Sequence, residues 1–386
     1  MPVRVEPIDR RDKRALHQFV TFPWRVYAGD PYWVPPLIGD EKKKLTRHPF
    51  HEHAASEYFL ARRGGDPVGR IAAIENRLHN EVHGESVAFF GFFEVLDDEE
   101  AAAALLEAAA AWARGRGLTA LRGPASFSSN EEWGLLIDGF DGSPAVLMAY
   151  NPPRYARHLE GSGFAKARDL VAYYLDDPDP PERVVRVAEA LGARKGVVVR
   201  PLEMKRFAEE VAKVRTVYNK AWERNWGFVP MTEAEIEHMA KELRPVIKPD
   251  IVLIAERGEE PVGFAMALPD LNAALKQANG RLFPLGLLKI LWHARRIDKL
   301  RVLTLGLVPE LRGSGVDQLM YLRLFQGGRK LKIRCGEFSW ILEDNRAMRQ
   351  ALDKIGGRVY KTYRIYEKPL AASVAPAAEP PGGAAP

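Results

Sequence analysis

The chain has 386 residues, 46% of them hydrophobic and 28% charged, and it carries a net charge of +5. That length exceeds one comfortable hydrophobic core, so two packed units are expected. With no basic helix motif, zinc-ligand framework, signal-peptide core or apolar run near ~18–20 residues, it reads as a cytoplasmic protein that binds anions rather than nucleic acid.

The first half opens on an aromatic and proline-rich loop, FPWRVYAGDPYWVPPL, followed by the basic stretch Lys42, Lys43 and Lys44. EYFLARRGGDPVGRIAAIEN reads as two strands about a Gly-Gly turn, and VAFFGFFEV as an aromatic strand. DDEEAAAALLEAAAAWARGRG is acidic at its start and basic at its end, which makes it a helix matched to its own dipole. A strand in TALRGPA, the irregular segment SFSSNEEWGLLIDGF, a short helix near 153–161 and a strand in LVAYYLD complete this half.

The acidic, proline-dense segment 176–183 marks a boundary, giving units 1–178 and 179–370. The Ala/Pro/Gly tail 371–386 is expected to be disordered. After the boundary the order recurs: a strand in VVVRPL, two helices to Leu243, then the hairpin IVLIAERGEEPVGFAMALPD, which repeats the Pro-Val-Gly turn of the first half. A strand in LRVLTLGLVP, a helix to Leu331, the strand EFSWIL, a helix from Asn345 and paired strands in 356–370 follow. The pattern is a duplicated α+β unit, with mixed, mostly antiparallel sheets flanked by helices.

The segment 305–325 carries most of the chemistry. A buried strand runs into Arg312-Gly313-Ser314-Gly315 and then into an apolar helix. Such a turn aims backbone N–H groups at one point beside a helix N-terminus, where a pyrophosphate can be held. Glycines let the backbone approach that ligand closely.

These residues resemble the signature loop of the GNAT acyltransferase superfamily, with Arg312, Gly315 and Val316 at the matching positions and Gly313 and Ser314 as the variable pair. The resemblance implies two tandem GNAT-like domains, acyl-CoA as co-substrate, a primary-amine acceptor and no metal. Asp317 departs from the pattern. Pointing inward at ~6 Å, its carboxylate would cost ~2–3 kcal/mol against a phosphate, so it is expected to turn outward and cap its helix. Leu352 stands where many members carry the tyrosine that protonates the leaving thiolate. The first half passes from its aromatic strand through Asp-Asp-Glu-Glu straight into a helix, so it resembles a degenerate unit without a CoA loop. More narrowly, VAFFGFFE, RGPASFSSNEEWGLLIDGF, NWGFVP, LPDLN and EFSWILEDN resemble a bacterial two-domain group associated with ceramide synthases. Their reaction is transfer of a fatty acyl group from a thioester to a sphingoid-type amine. An acetyl-CoA-dependent small-molecule acetyltransferase and a non-catalytic acyl-CoA sensor are the competing readings.

Direct attack of an amine on a thioester needs a base and a donor for the thioester oxygen. Backbone N–H near Leu307 or Val308 would supply the donor. Cys335, the one cysteine, has no adjacent histidine to activate it as a nucleophile. For the base, Glu337 lies in an otherwise apolar strand, where alternation puts it with Ser339 and Ile341, opposite Phe338 and Trp340. Glu343 competes for that role, and it and Asp344 could equally cap the helix that follows. Asn225, Trp226 and Asn272 are candidates for the acceptor pocket. His48, His51 and His53 are read as a solvated loop rather than a zinc site, and His79 and His83 as surface residues. In 282–299, a helix from Leu285 places Lys289, His293 and Arg296 on one stripe and Leu287, Ile290, Leu291 and Ala294 opposite. That pattern suits peripheral contact with the inner face of an anionic membrane, and equally a core-packing helix with a solvated basic side.

Overall fold

The computed structural model describes residues 1–176, 182–223 and 225–371. The boundary expected at 178/179 and nearly all of the 371–386 tail lie outside them. The first half supplies β1 (Val3–Pro7), β2 (Ala54–Arg63), β3 (Asp66–Asn76), β4 (Val87–Val95), β5 (Ala120–Gly123), the two-stranded β6 (Ala125–Ser126) and β7 (Glu132–Trp133), β8 (Leu135–Asp138) and β9 (Ala165–Asp176). The second supplies β10 (Val198–Pro201), β11 (Val252–Arg257), β12 (Glu260–Pro269), β13 (Lys299–Leu307), β14 (Cys335–Leu342) and β15 (Arg358–Pro369).

All but β6 and β7 join one 13-stranded sheet, in the order β1-β2-β3-β4-β5-β15-β9-β14-β13-β12-β11-β10, with β8 beside β15. Among the described strands, only the β4–β5 and β13–β14 pairs are parallel. The halves are mirrored about an exchange. β15, the last strand of the second half, sits between β5 and β9 of the first, and β9 sits between β14 and β15. The paired strands expected in 356–370 are instead this single strand, whose partners all lie far away in sequence (Tyr363 opposite Leu170, Tyr366 opposite Gly123).

Local chemistry accounts for the elements. The β2–β3 turn uses Gly64 and Gly65 at φ +60° and +93°, a conformation costly for side chains with a Cβ. The helix Glu99–Arg114 is capped by Asp98, whose carboxylate accepts from Ala101 N–H at 3.0 Å. It buries Leu105, Leu106, Ala109 and Ala113 against the sheet. On the second half's equivalent face, Val316, Met320 and Leu324 of the helix Val316–Lys330 pack on Val302, Leu307 and Phe338. The opposite face carries a core shared by both halves, with Phe92, Phe127 and Trp133 beside Trp340 and Tyr363. No described helix is long and apolar enough to cross a membrane.

Candidate active site

β13 and β14 are hydrogen-bonded in register only from Lys299–Cys335 to Val302–Phe338. Beyond that point β13 stays with β12 and β14 with β9, so the two strands part into a crevice. Val308 N–H is spent on Val262 O at 2.9 Å. The donor expected at Leu307 or Val308 is therefore not Val308. The alternation of an antiparallel ladder turns the Leu307 N–H away from β12, toward the open edge. Trp222 closes the other face of this strand end: a Cβ on Gly306 would lie 2.2 Å from its ring.

The crevice opens at the 312–316 loop. Gly313 and Gly315 have φ of +67° and +85°. Among the described residues no hydrogen-bond partner is found for the N–H groups of Gly313, Gly315 or Asp317, while Val316 N–H meets only Ser314 Oγ at 3.4 Å. Several N–H groups are thus unspent at the start of a 15-residue helix, a cradle of the kind that holds a pyrophosphate. Arg312 turns away from it and donates to Ala221 O at 2.7 Å. Leu191 roofs Gly315, where a Cβ would come within 2.3 Å of its Cδ1. Asp317 lies in the first helical turn but makes no capping hydrogen bond, contrary to expectation; Gly315 occupies the cap. Leu352 is buried in the core on this side of the sheet and has no proton to give.

At the foot of the crevice, Glu337 is fully buried, and among the described residues neither carboxylate oxygen has a partner within hydrogen-bond geometry. Its neighbour across the strands is Arg301, with Nε 3.8 Å from Oε2. Arg301 is itself pinned elsewhere, donating to Ser339 Oγ at 3.0 Å and to Val146 O at 2.6 Å. Burial raises the Glu337 pKa, and the opposing Arg301 charge and nearby Ser339 hydroxyl do not cancel it. The Tyr360 and Tyr363 hydroxyls and Trp340 Nε1 are buried without partners too, and Glu337 adds to burial in raising both phenols. Buried polar groups are nearly always satisfied, so a carboxylate, two phenols and an indole N–H with polar capacity to spare form a candidate ligand site.

The expected alternation along β14 holds only to Ser339. A register shift between Phe338 and Ile341 adds a residue to the strand. Trp340 therefore lies on the Glu337 side, 5.0 Å from the Arg301 guanidinium, and Ile341 joins Phe338 under the helices.

Glu343 is in a different state. Against burial, Lys166 at 2.6 Å and Asp169 N–H at 3.1 Å hold its carboxyl below the usual range. A carboxylate stabilised in that way is a weak proton acceptor. Asp344 pairs with Arg168 at 2.8 Å, and the cap of the next helix is Asn345, so neither acid caps it. Asn272 is buried and gives its amide to Pro144 O at 2.9 Å, which commits it to joining the halves. Beside it, Asp270 pairs with Lys299 at 3.1 Å. Asn225 is exposed. Trp226 is stacked between the Arg122 and Arg168 guanidiniums at 5.4 Å each, away from any reacting role.

The five histidines named above do not stand free in solvent. His48 meets Glu131 at 3.3 Å and His53 meets Glu235 of the second half at 3.2 Å. His51 faces Lys44 O, His79 is buried against Glu85, and His83 faces Phe228 O. The 53–235 pair spans too much sequence for spacing to have shown it.

In the first half the equivalent crevice is filled. Tyr155 Oη accepts from Val95 N–H at 2.7 Å and donates to Glu94 at 2.8 Å, and Tyr27 donates to Glu94 at 3.0 Å. Ser126 Oγ takes the Phe92 N–H at 3.0 Å. The strand edge that is open at Leu307 is closed here.

The chain is similar to known proteins in sequence and in fold. Over 364 residues, 92% of this chain and 95% of the relative, it is 37% identical to the bacterial ceramide synthase of Caulobacter vibrioides. The chain belongs to the bacterial ceramide synthase group of GNAT acyltransferases. It is also 36% identical over 366 residues, 93% of this chain and 94% of the relative, to protein YghO of Escherichia coli. Its fold is that of a tandem GNAT protein from the clavulanic acid biosynthesis pathway, at TM-score 0.57 and 14% identity, covering 96% and 99% of the two chains. A GCN5-related N-acetyltransferase from Sphaerobacter thermophilus superposes at 0.53 with 13% identity, over 95% and 96%. No family model matches the chain. This group member is an N-acyltransferase.

Proposed function

We propose that this acyltransferase moves a fatty acyl group from acyl-CoA to a sphingoid-type amine by direct attack on the thioester, in the cytoplasm. The observation that carries the reading is the fully buried Glu337 carboxylate at the foot of the β13–β14 crevice, faced by Arg301 at 3.8 Å. The 312–316 loop would hold the pyrophosphate by its free N–H groups. Leu307 N–H would receive the thioester oxygen as charge develops there. Glu337 takes the proton as the amine nitrogen bonds to the carbonyl carbon; the C–S bond then breaks, and the thiolate takes up a proton to leave as free CoA. A raised pKa brings Glu337 nearer that of the proton it must accept. The unpartnered Tyr360, Tyr363 and Trp340 groups suit an acceptor that brings its own hydroxyls, as a 2-amino-1,3-diol does. The ceramide synthase relative supports this choice of acceptor.

The test is free-thiol release by the full chain from acetyl- to long-chain acyl-CoA, with a sphingoid base or a small amine. Long-chain turnover that depends on the sphingoid base supports the reading. Turnover of acetyl-CoA with small amines alone would replace it with a small-molecule acetyltransferase, and binding without any turnover would replace it with a sensor.

A further inference from the structure

Among the described residues, the segment between β12 and β13 bears the largest run of exposed apolar side chains. Phe283, Leu285, Leu287, Leu288, Leu291 and Trp292 are between 44% and 80% exposed. The helix they surround, Gly286–Ala294, is not a core-packing helix with one solvated side, because its apolar residues are the solvated ones. It is nonetheless firmly rooted. Gly286 is buried where a Cβ would meet Arg281 O at 1.7 Å. Just before it, Gly280 packs against Trp24 of the first half, whose indole N–H donates to Asn279 at 2.8 Å. A rooted segment with six apolar side chains in water, four of them on the helix, is an unpartnered surface rather than a loose end.

Charge decides the partner. Residues 281–297 contain Arg281, Lys289, Arg295 and Arg296 and no carboxylate, and all four cations are exposed. A second copy docking through the same patch would set these cations against one another. An anionic bilayer surface neutralises them while it covers the apolar residues.

We propose that residues 281–296 seat the enzyme on an anionic lipid surface, with the apolar side chains in the interface and the four cations at the head groups. This rests on the lipid-acceptor reading and adds where the acceptor comes from. The segment runs directly into β13, so Lys299 lies three residues beyond Arg296 and Arg301 two further on. Docking therefore brings the Glu337–Arg301 end of the crevice to the membrane, and the 312–316 loop, at the far end of β13, stays toward water to meet acyl-CoA.

The experiment is co-sedimentation of the full chain with phosphatidylcholine vesicles with or without about one-third phosphatidylglycerol. Wild type should sediment with the anionic vesicles and at least about tenfold less with neutral ones. Leu288→Glu/Trp292→Glu should lose about tenfold or more of the binding. Lys289→Glu/Arg295→Glu should lose the preference for anionic lipid. All four side chains are exposed, so unfolding is not expected, and thiol release with water-soluble substrates should be unchanged. Equal sedimentation of wild type and the Leu288/Trp292 variant overturns the proposal, as does a wild-type dimer that this variant alone converts to monomer. Vesicle binding without sphingoid-base turnover leaves the docking intact and sinks only the acceptor assignment.

Discussion

Replacing Glu337 by Gln removes the charge that the mechanism needs and keeps the shape of the side chain. At 3.8 Å, a unit charge pair at an effective dielectric of about 20 is worth about 4 kcal/mol. Most of that attraction offsets the cost of burying both ions, but once Glu337 is neutral the burial cost of Arg301 stands alone. Its bonds to Ser339 and Val146 remain, so the expected loss of stability is about 2–4 kcal/mol. That fits within a typical folding free energy of about 5–15 kcal/mol, and the variant should fold. Loss of a general base should lower kcat by roughly 100- to 10,000-fold. Thiol release is measured against pH, and acyl-CoA affinity by calorimetry. Wild-type activity should rise with pH through a limb set above the ordinary carboxylate range, because the Glu337 pKa is raised. The variant should lose that limb and keep its acyl-CoA affinity. A variant that binds acyl-CoA normally and retains both wild-type kcat and the same acid limb would refute the assignment of Glu337 as the base.

Three further outcomes follow from the geometry. Gly315→Ala meets Leu191 at 2.3 Å and adopts φ +85°, so it should cost about 2–3 kcal/mol and sharply weaken acyl-CoA binding. Gly313→Ala, with nothing within 4 Å, should cost only about 1–2 kcal/mol of backbone strain; equal losses in chemical denaturation would contradict this account of the loop. Glu94, raised to about 7 by burial, binds its proton more tightly folded than unfolded. Its contribution is complete below the ordinary carboxylate pKa and is lost as pH rises to about 7, on the order of 3 kcal/mol. Glu94→Gln should flatten the stability–pH curve in that window. Asn272→Ala deletes the hydrogen bond its side-chain amide donates to Pro144 O and should cost about 1–2 kcal/mol in thermal unfolding, with KM for the amine shifted less than threefold.

The parts of this enzyme set by local rules could be read from the residues alone. The two hairpins announce themselves through Gly64-Gly65 and Gly258 with their Pro-Val-Gly sequels, and the capped helix after Asp98 through its charge gradient. The 312–316 loop is legible because only a strand, two glycines and a helix N-terminus are needed to define it. Trp340 and Ile341 were misplaced because one bulge reverses every later assignment along a strand. The exchange of β9 and β15 left no local mark, since each reads as an ordinary strand whichever half it joins. Arg301 did leave one: a cation inside LRVLTLGL needs a buried partner, and Glu337 in the neighbouring strand was the available carboxylate.

The exchanged strands also set a condition on how the molecule is made. During synthesis β9 emerges long before β14 and β15, the strands that flank it on both sides in the finished sheet. Until β15 arrives, the slot between β5 and β9 has two bare edges, each able to recruit a stranger. The nascent first half is therefore the stage at which a chaperone would matter most. The same arrangement restrains evolution: neither half can be swapped for a relative's without carrying a strand that belongs to the other, so the two must drift together.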